Sequence, residues 1–413
     1  MGNKIKECRI CNYHIFETLI DFGALPLGNN LANNYRQTFS IEKYPLKILK
    51  CLQCNHFQLS YSVDPRLLYA TNYTYLSGIG LSFLQHIKEY VEWIHKKNKS
   101  RNNRFVFEIG SNDGTALEEF KKYGYNVLGI DPASKPVKIA QKKGVETIHA
   151  FFDQKIATTI IEEYGHPDII TSQNALAHID DLRNVFKSIY RMLKNNGIFI
   201  FEVGYFRKVL EKNLFDTIYH EHLDYHHAVP LVTHLTKLGF DVIELKPVKS
   251  QGGSIRILLK KTGRGKIYKK AYSFLLSEKK SCLFNNSFLE NWSNLIELNN
   301  KKFRDLIKTK ISEGVPIIGY GAPTKATLLL HLAFLGSKEI NFIVEDNSLK
   351  VDKFLPNGIP IKSFGRLIEI KERVLIVVLA WNFSEDIIRK LKQNNVKGEV
   401  LIPLPKVELK KIC

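Results

Sequence analysis

The densest group of reactive side chains in this chain lies in the segment DTIYHEHLDYHH, where Tyr219, His220, Glu221 and His222 follow one another. Histidine has an ordinary pKa near 6.5, and a neighbouring glutamate can orient it or act beside it, so the segment predicts acid and base catalysis. A metal site is a second interpretation, but the segment lacks the histidine pair of the H-E-x-x-H motif. A surface loop with chance histidines is the third.

A strand, turn and helix over FVFEIGSNDGTALEEF form a second group of candidates. Gly110 and Gly114 let the backbone turn close to a ligand, and Asp131 follows Glu108 by 23 residues, at the end of the next apolar run, where an acid suits a ribose diol. The spacing differs from the G-x-G-x-x-G of dinucleotide-binding folds. Because Asn112 and Asp113 lie inside the turn, an anionic pyrophosphate would meet a carboxylate there. We therefore predict S-adenosylmethionine as the cofactor rather than NAD.

The two groups together indicate methylation of carbon. A sulfonium methyl group is already a good electrophile, and oxygen or nitrogen acceptors need only modest help to attack it. A carbon acceptor must first lose a proton, which requires a positioned base. Loss of a proton beside a ketone gives an enolate, whose oxygen needs a hydrogen-bond donor such as a tyrosine hydroxyl or a second histidine.

Further candidates lie at the ends of other predicted elements. Phe152 and Asn174, at the ends of the next two strands, complete the predicted cofactor contacts. His178 in QNALAHIDD is expected at the same carboxyl edge, where open α/β sheets bind ligands, with helix capping or packing as the alternative.

Two glycine-containing turns supply the remaining substrate candidates. Gly253 in SQGGSIR permits a tight turn, and Arg256 can reach either a phosphate or an ordinary carboxylate. The segment GYGAPTK, with Tyr320 and Lys325, resembles a phosphate-binding turn that leads into a helix N-terminus, although such turns are also common without a ligand.

Four of the six cysteines form two C-x-x-C pairs, Cys8 with Cys11 and Cys51 with Cys54, separated by 39 residues. Two thiolate pairs on tight turns can complete the tetrahedral shell of a structural zinc and leave no open position for catalysis. Disulfides are the alternative, but a chain without an export signal is expected in a reducing compartment. We therefore predict a zinc-binding module.

The order of predicted elements indicates an α/β protein in three parts. Residues 1–70 carry the cysteine pairs and short strands, and residues 71–262 alternate helix and strand in the manner of a parallel, doubly wound sheet that ends in an antiparallel pair. Residues 263–413 begin with a helical connector and return to the same alternation, which predicts a second, smaller α/β layer. The segment from Gly204 to His227 is an insertion without clear period, and such insertions often carry function.

Composition limits the partners. A formal charge of +19 invites a nucleic-acid interpretation, but the lysines are scattered and no block of five like charges occurs, so nucleic acid is not expected. A polyanionic small substrate such as a nucleotide diphosphate is a second explanation of the charge. No apolar run is long enough to span a bilayer, and we expect a cytoplasmic protein without membrane contact.

Taken together, the motifs resemble those of the sugar C-methyltransferase family, whose members methylate C3 of nucleotide-linked 4-keto-6-deoxyhexoses. The resemblance spans nearly the whole chain and rests on the two cysteine pairs, NYTYLSG, FEIGSNDGTAL, NALAHIDD, FDTIYHEHLDY, QGGSIRI, GYGAPTKATLLLH, VEDNSLKVDKFLPNGIPI and LAWNF. It implies a class I methyltransferase Rossmann-like sheet between an N-terminal zinc-binding domain and a C-terminal Rossmann-like domain that helps to hold the sugar nucleotide.

The resemblance also implies roles for individual residues. His222 becomes the general base, with Glu221 and Tyr219 beside it, and Tyr75 or Tyr73 of NYTYLSG closes over the sugar. Three positions depart from the family pattern and leave the identity of the sugar open: Gln251, where histidine is usual, and Ala326 and Thr327, where small residues are usual.

We therefore expect an S-adenosylmethionine-dependent C-methyltransferase that acts on a nucleotide-linked deoxysugar, as a monomer or homodimer. O-methylation of a sugar nucleotide or glycan precursor, a zinc-ribbon nucleic-acid methyltransferase, and a scaffold with degenerate sites are the alternatives.

Overall fold

The computed structural model describes residues 2–70, 76–97, 104–281 and 285–412. The predicted substrate residues Tyr73 and Tyr75 lie outside these ranges. The chain forms two compact units, each built from three stretches of sequence. The first unit comprises Met1–Glu17, Leu49–Arg207 and Leu223–Phe284, and the second comprises Thr18–Ile48, Lys208–His222 and Asn285–Cys413.

The helices begin and end at local sequence signals. In α4, for example, the Asp153 side chain caps the N-terminus by accepting the Ile156 N–H at 2.8 Å, and Gly165 ends the helix with a φ of 81°. The α-helices are α1 Leu81–Lys97, α2 Thr115–Lys122, α3 Ser134–Lys142, α4 Gln154–Tyr164, α5 Leu182–Met192, α6 Phe206–Glu211, α7 Ala228–Lys237, α8 Lys269–Lys279, α9 Asn286–Ser312, α10 Ala326–Leu332, α11 Phe364–Ile368 and α12 Ser384–Gln393. Among the described residues, no helix is both long enough and apolar enough to cross a membrane.

In the described part of the chain, the strands form two large and mostly parallel sheets, a four-stranded sheet and a two-stranded sheet. The strands are β1 Asn3–Lys4, β2 Phe16–Pro26, β3 Lys43–Cys51, β4 Phe57–Leu59, β5 Tyr61–Ser62, β6 Phe105–Ile109, β7 Asn126–Asp131, β8 Thr147–His149, β9 Ile169–Gln173, β10 Ile198–Gly204, β11 Asp224–Tyr225, β12 Phe240–Val248, β13 Ser254–Lys261, β14 Ile317–Tyr320, β15 Phe342–Val344, β16 Ile361–Lys362, β17 Val374–Val378, β18 Gly398–Ile402 and β19 Glu408–Lys411. The four-stranded sheet has the order β11-β4-β3-β2, and the two-stranded sheet consists of β1 and β5.

The large sheet of the first unit has the order β12-β13-β10-β9-β6-β7-β8. Strands β6 to β10 pair in parallel, and β13 runs antiparallel to both β10 and β12, which confirms the predicted doubly wound sheet and its final antiparallel pair. The strand order reverses beside β6, since β7 pairs on one side and β9 on the other. Ligands of open α/β sheets bind at the carboxyl ends of the strands at such a reversal.

The sheet of the second unit has the order β16-β15-β14-β17-β18-β19, with β14 to β18 parallel and β19 antiparallel to β18. The sequence predicts four of these strands. It misses β16, which has two residues, and β19, whose sequence ELKK is exposed throughout and shows no apolar alternation. A short, lysine-rich edge strand is a common protection against edge-to-edge association.

The two large sheets repeat one architecture. The order β8-β7-β6-β9-β10-β13 has the same directions as β16-β15-β14-β17-β18-β19. After the first strand of each, a glycine takes a positive φ, 72° at Gly110 and 85° at Gly321. A Cβ at Gly110 would lie 2.3 Å from Cβ of Ala175, and one at Gly321 would lie 2.5 Å from Cβ of Ala380. Each turn therefore passes against the loop that follows the neighbouring parallel strand.

Replacement of Gly321 by alanine tests this constraint. The positive φ and the close approach to Ala380 both oppose a side chain, so we expect the free energy of unfolding to fall by about 2 kcal/mol or more. Gly365→Ala is the control, because Gly365 is exposed and a Cβ there meets only Ser363 Oγ at 3.7 Å. Urea denaturation followed by circular dichroism measures both variants, and equal stability of the two would contradict the expectation.

Candidate functional site

The predicted cofactor turn connects β6 to α2 at the reversal of the first sheet. Asp131, the last residue of β7, accepts the Asn112 N–H at 2.9 Å with one carboxylate oxygen and the Ala133 N–H at 2.8 Å with the other. Gly114, with a φ of 75°, is the residue from which α2 begins. The carboxylate of Asp131 therefore helps to fix the conformation of the turn that it faces.

Three buried carboxyl groups, those of Glu108, Asp113 and Asp131, give this turn its electrostatic character. Burial raises the pKa of Glu108 well above its ordinary value, and the nearby Asp113 and Asp131 raise it further. Burial likewise raises the pKa of Asp131. Glu108 Oε2 is buried without a hydrogen-bond partner among the described residues. Such a site favours a cationic ligand with hydroxyl and ammonium donors, which S-adenosylmethionine is and a pyrophosphate is not.

The end of the NYTYLSG motif lies against the same turn. The Ser77 N–H donates to Asn112 Oδ1 and the Gly78 N–H to Asp113 Oδ2, both at 2.9 Å. The structure therefore brings together two motifs that are 35 residues apart in sequence.

The other residues predicted in the first unit have defined surroundings. Phe152 packs on Phe107 with ring centroids 5.7 Å apart. Asn174 takes a left-handed conformation, with a φ of 53°, directly after β9. The Tyr69 hydroxyl and His178 Nδ1 lie 3.0 Å apart. A ligand contact at Phe152, Asn174 or His178 stays a prediction.

Arg256 requires a correction. The sequence leaves open whether it reaches a phosphate or a carboxylate, and the structure gives the carboxylate: Nε donates to Glu202 at 2.6 Å, and the guanidinium lies 4.6 Å from the centre of the Tyr90 ring. The Arg256 side chain is only 5% exposed, so its positive charge is paired with a carboxylate inside the protein. The predicted turn residue Gly253 has a φ of 136°, and its carbonyl accepts the Tyr205 N–H.

The four predicted metal ligands converge in the first unit. Sγ of Cys8 lies 3.6 Å from Sγ of Cys54, Sγ of Cys11 lies 3.5 Å from Sγ of Cys51, and all four sulfurs are within 4.8 Å of one another. A Zn–S bond of about 2.3 Å implies tetrahedral sulfur separations of about 3.8 Å, so the donor set fits zinc. A disulfide needs about 2.05 Å, and the cysteines are free.

The two cysteine turns share one backbone design. Asn12 and Asn55, each directly after the second cysteine of a pair, take positive φ values of 66° and 59°. Their N–H groups donate to the carbonyls of Cys8 and Cys51 at 3.0 and 2.9 Å. Asparagine tolerates the left-handed conformation better than most residues, which explains its place in both turns.

The predicted catalytic residues Tyr219, Glu221 and His222 lie in the second unit. His222 Nδ1 is 2.8 Å from the Thr217 carbonyl oxygen, to which only a protonated ring nitrogen can donate. The neutral ring therefore carries its lone pair on Nε2, and the Tyr219 hydroxyl donates to that atom at 2.9 Å. The pair has the donor and acceptor pattern of a general base beside a phenol.

The carboxyl group of Glu221 is buried beside two groups that the sequence analysis missed. Asn29 Nδ2 donates to Glu221 Oε1 at 2.7 Å, and Lys350 attracts the carboxylate. Burial outweighs both effects and raises the pKa of Glu221 to about 7. Glu221 can therefore change its charge near neutral pH.

Lys325 is likewise engaged within the second unit. Its ammonium nitrogen lies 3.3 Å from Asp216 Oδ2, 3.1 Å from Asn382 Oδ1 and 3.8 Å from the centre of the Trp381 ring. Burial lowers the pKa of Lys325, and Asp216 opposes this effect. The geometry therefore gives no support to a phosphate contact at Lys325.

The glycine turn of the second unit repeats the hydrogen bonds of the cofactor turn. Glu345 directly follows β15 and accepts the Ala322 N–H at 2.8 Å and the Asn347 N–H at 2.9 Å. Asp131 in the first unit likewise accepts one N–H from its glycine turn, that of Asn112, and one from two residues further along the chain, that of Ala133. Tyr320, a predicted substrate residue, donates to Asp346 at 3.2 Å.

Asn29, Asp216 and Lys350 are the polar residues near the predicted catalytic segment that sequence reasoning missed. Asn29 is 192 residues from Glu221, and Lys350 follows Glu221 by 129 residues, so no local spacing indicates either contact. Asp216 lies within FDTIYHEH, and an acid in an otherwise apolar FDTI run is a signal that was available.

The strand order and the acidic glycine turn define the class of a methyltransferase that uses S-adenosylmethionine. Three family models match along the chain: a "putative zinc binding domain" at residues 8–69, a methyltransferase domain at 83–245 and a C-methyltransferase C-terminal domain at 249–405.

Three proteins similar to this chain cover different shares of it. The C-methyltransferase NovU of Streptomyces niveus is 30% identical over 409 residues, which are 98% of this chain and 97% of NovU. The ubiquinone biosynthesis O-methyltransferase of Colwellia psychrerythraea is 30% identical over 119 residues, 28% of this chain and 48% of its own. Among solved structures, magnesium protoporphyrin IX methyltransferase (ChlM) from Synechocystis PCC 6803 with bound SAH shares 14% identity at a TM-score of 0.36, over 45% of this chain and 89% of its own.

The similarity to NovU runs through all three matched domains, whereas the O-methyltransferase shares only part of the chain. This chain belongs to the C-methyltransferase family that includes NovU, which confirms the family resemblance predicted from the motifs.

The raised pKa of Glu221 predicts a pH-dependent contribution to stability. Between pH 4.5, the ordinary value, and about 7, the folded protein keeps a proton that the unfolded chain has lost, so the contribution becomes less favourable as pH rises through this window. Lys350 is the charged group that faces this carboxyl. We expect Glu221→Gln to gain stability relative to the wild type across the window, by about 3 kcal/mol in total.

Urea denaturation at a series of pH values measures this difference. Glu297→Gln is the control, because Glu297 is an exposed residue of α9. A difference between wild type and Glu221→Gln that does not change with pH would show that Glu221 titrates near its ordinary value.

Proposed function

We propose that this enzyme transfers the methyl group of S-adenosylmethionine to the carbon next to the ketone of a nucleotide-linked 4-keto-6-deoxysugar, at C3. Membership of a C-methyltransferase family supports transfer to carbon. The observation that carries the proposal is the arrangement of His222, whose Nε2 faces a phenol while Nδ1 is held by a backbone carbonyl. Carbon acceptors need such a base, whereas many oxygen acceptors do not.

His222 is the general base of the proposed reaction. The Thr217 carbonyl keeps the proton on Nδ1, so Nε2 takes the proton from the sugar carbon and the ring becomes a cation. The Tyr219 hydroxyl, which donates to Nε2 in the structure, is then released to donate to the developing enolate oxygen. Glu221 lies next in the chain and stabilises the imidazolium when it is ionised.

S-adenosylmethionine supplies an electrophilic methyl group when it is bound. The residues that would hold it are Glu108, Gly110, Asn112, Gly114 and Asp131. The Asp131 oxygens can each accept a ribose hydroxyl in addition to their backbone N–H. Phe152 supplies an apolar surface for the adenine, and Asn174 completes the set.

The sugar nucleotide is assigned to five residues predicted from the sequence. These are His178, Gly253 and Tyr320, with Tyr73 and Tyr75 of NYTYLSG. We propose three functional modules over residues 1–70, 71–262 and 263–413, of which the first binds metal, the second the cofactor and the third the nucleotide.

The four cysteines are proposed to hold a structural zinc. The expected consequence is that Cys51→Ser abolishes stoichiometric zinc and lowers the thermal unfolding midpoint, because three sulfur ligands bind far more weakly than four. Metal analysis by inductively coupled plasma mass spectrometry and thermal unfolding measure the two effects. Cys282→Ser is the control, since Cys282 belongs to neither C-x-x-C pair. Retention of a full equivalent of zinc by Cys51→Ser would contradict the assignment.

His222→Ala tests the proposed base. We expect turnover to fall by about 10²-fold or more, because a general base contributes on this scale, while cofactor affinity stays unchanged. The assay follows methyl gain and solvent deuterium exchange by mass spectrometry, with a panel of nucleotide-linked 4-keto-6-deoxysugars. His14→Ala, which changes an exposed histidine, is the control.

Turnover of His222→Ala near the wild-type rate would place the base elsewhere. A product methylated at a hydroxyl group, without exchange at carbon, would show an O-methyltransferase.

A further inference from the structure

Asn29 connects Glu221 to the GYGAPTK turn. Its Nδ2 donates to Glu221 Oε1 at 2.7 Å, and its Oδ1 accepts the Thr324 hydroxyl at 2.8 Å. These residues come from three separate parts of the sequence, yet all belong to the second unit. The contact therefore depends on the folded unit and not on any local motif.

The Asn29 amide is held at both ends, with its oxygen on the Thr324 hydroxyl and its NH₂ group on the Glu221 carboxyl. An asparagine side chain has a donor end and an acceptor end, and an ionised carboxylate can only accept. Because the threonine hydroxyl donates to Oδ1, the NH₂ group is turned toward Glu221. Without this bond, the amide keeps only its contact with Glu221 and is held less firmly.

The backbone next to Asn29 is fitted to the same turn. A Cβ at Gly28 would lie 2.3 Å from the Thr324 carbonyl oxygen, so only glycine allows this approach. Leu27, with 7% exposure, anchors the loop in the interior just before it.

Lys325, the next residue of the turn, contacts a second residue of the predicted catalytic segment. Lys325 pairs with the buried carboxylate of Asp216, five residues before Glu221. Thr324 and Lys325 therefore fix the segment 216–221 at both ends, one through Asn29 and the other directly. The turn that resembles a phosphate site in sequence is built here to support the segment that carries His222.

We propose that Asn29, anchored by the Thr324 hydroxyl, is a positioning residue that holds the Glu221 carboxyl in its acceptor state, next in sequence to His222. Its role in turnover rests on the proposed function, but its effect on Glu221 does not. The Asn29 hydrogen bond favours the ionised carboxyl against burial, with Lys350 acting in the same direction.

The first test measures the carboxyl group itself in the full-length protein. Carbon-13 NMR of glutamate carboxyls, with Glu221 assigned by its absence from Glu221→Gln, gives the titration midpoint of Glu221. We expect Asn29→Ala to raise this midpoint from about 7 by about one pH unit, because loss of a hydrogen bond to the charged form disfavours ionisation.

Asn30→Ala is the matched control. Asn30 lies in the same loop, its N–H donates to the Leu27 carbonyl, and its side chain makes no hydrogen bond within the described part of the chain. Its replacement should leave the midpoint unchanged. Thr324→Val keeps the size of the side chain and removes the hydroxyl, so it should shift the midpoint in the same direction even if Asn29→Ala folds poorly. Equal midpoints in wild type, Asn29→Ala and Thr324→Val would overturn the proposal.

The second test uses the pH profile of methyl transfer to the same panel of keto sugars. Asn29→Ala should lower turnover by about tenfold and move the profile with the Glu221 midpoint, whereas a general loss of stability lowers turnover without moving the profile. An unmoved profile would reject a role for Asn29 in turnover. If the wild type modifies no keto sugar, the proposed function fails, while the NMR titration still decides whether Asn29 controls Glu221.

Discussion

A carboxylate that accepts two backbone N–H groups sets the shape of the glycine turn in each unit. Asp131 is the last residue of β7, and Glu345 directly follows β15. Each carboxylate accepts one N–H from the glycine turn and one from the residue two positions after the acid. In each case one charge-assisted hydrogen bond holds the backbone of the glycine turn, and the other fixes the acid to the chain that follows it. Because the turn can then form only one way, the residues on it have fixed places from which to contact a ligand.

The same design serves different ends in the two units. In the first, Glu108 and Asp113 add further buried carboxyls, so the turn is strongly acidic and suits a cationic cofactor. In the second, the corresponding strand contributes Tyr320, and the turn continues into Thr324 and Lys325. Lys325 pairs with Asp216 on the segment that bears Glu221, and Thr324 donates to Asn29, which in turn donates to Glu221. The repeated backbone is therefore compatible with cofactor binding in one copy and with support of catalytic residues in the other.

The sequence predicts features that depend on local spacing and fails where distant residues meet. The acid at the end of β7, the cysteine pairs, strands β6 to β10 and the final pair of β12 and β13 follow from periodicity and short motifs, and the structure agrees with them. The charge partners of Arg256 and Lys325 do not follow, because a basic side chain near a glycine turn looks the same whether its partner is a ligand phosphate or a buried carboxylate. No sequence motif indicates Asn29, because its contacts with Glu221 and Thr324 form only in the folded chain.

The segment DTIYHEHLDYHH shows the same limit at the scale of single residues. Its histidines are alike in sequence, yet the chain passes from the second unit to the first between His222 and Leu223. On the far side of that boundary, His227 Nδ1 lies 3.2 Å from the buried Glu278, and Asp224 lies 2.8 Å from His56. These buried pairs are occupied in packing the first unit, whereas His222 keeps its Nε2 for a phenolic hydroxyl. Since a buried pair resists changes of charge and a base must gain one, the buried histidines differ from His222, the proposed base, in their burial and not in their type.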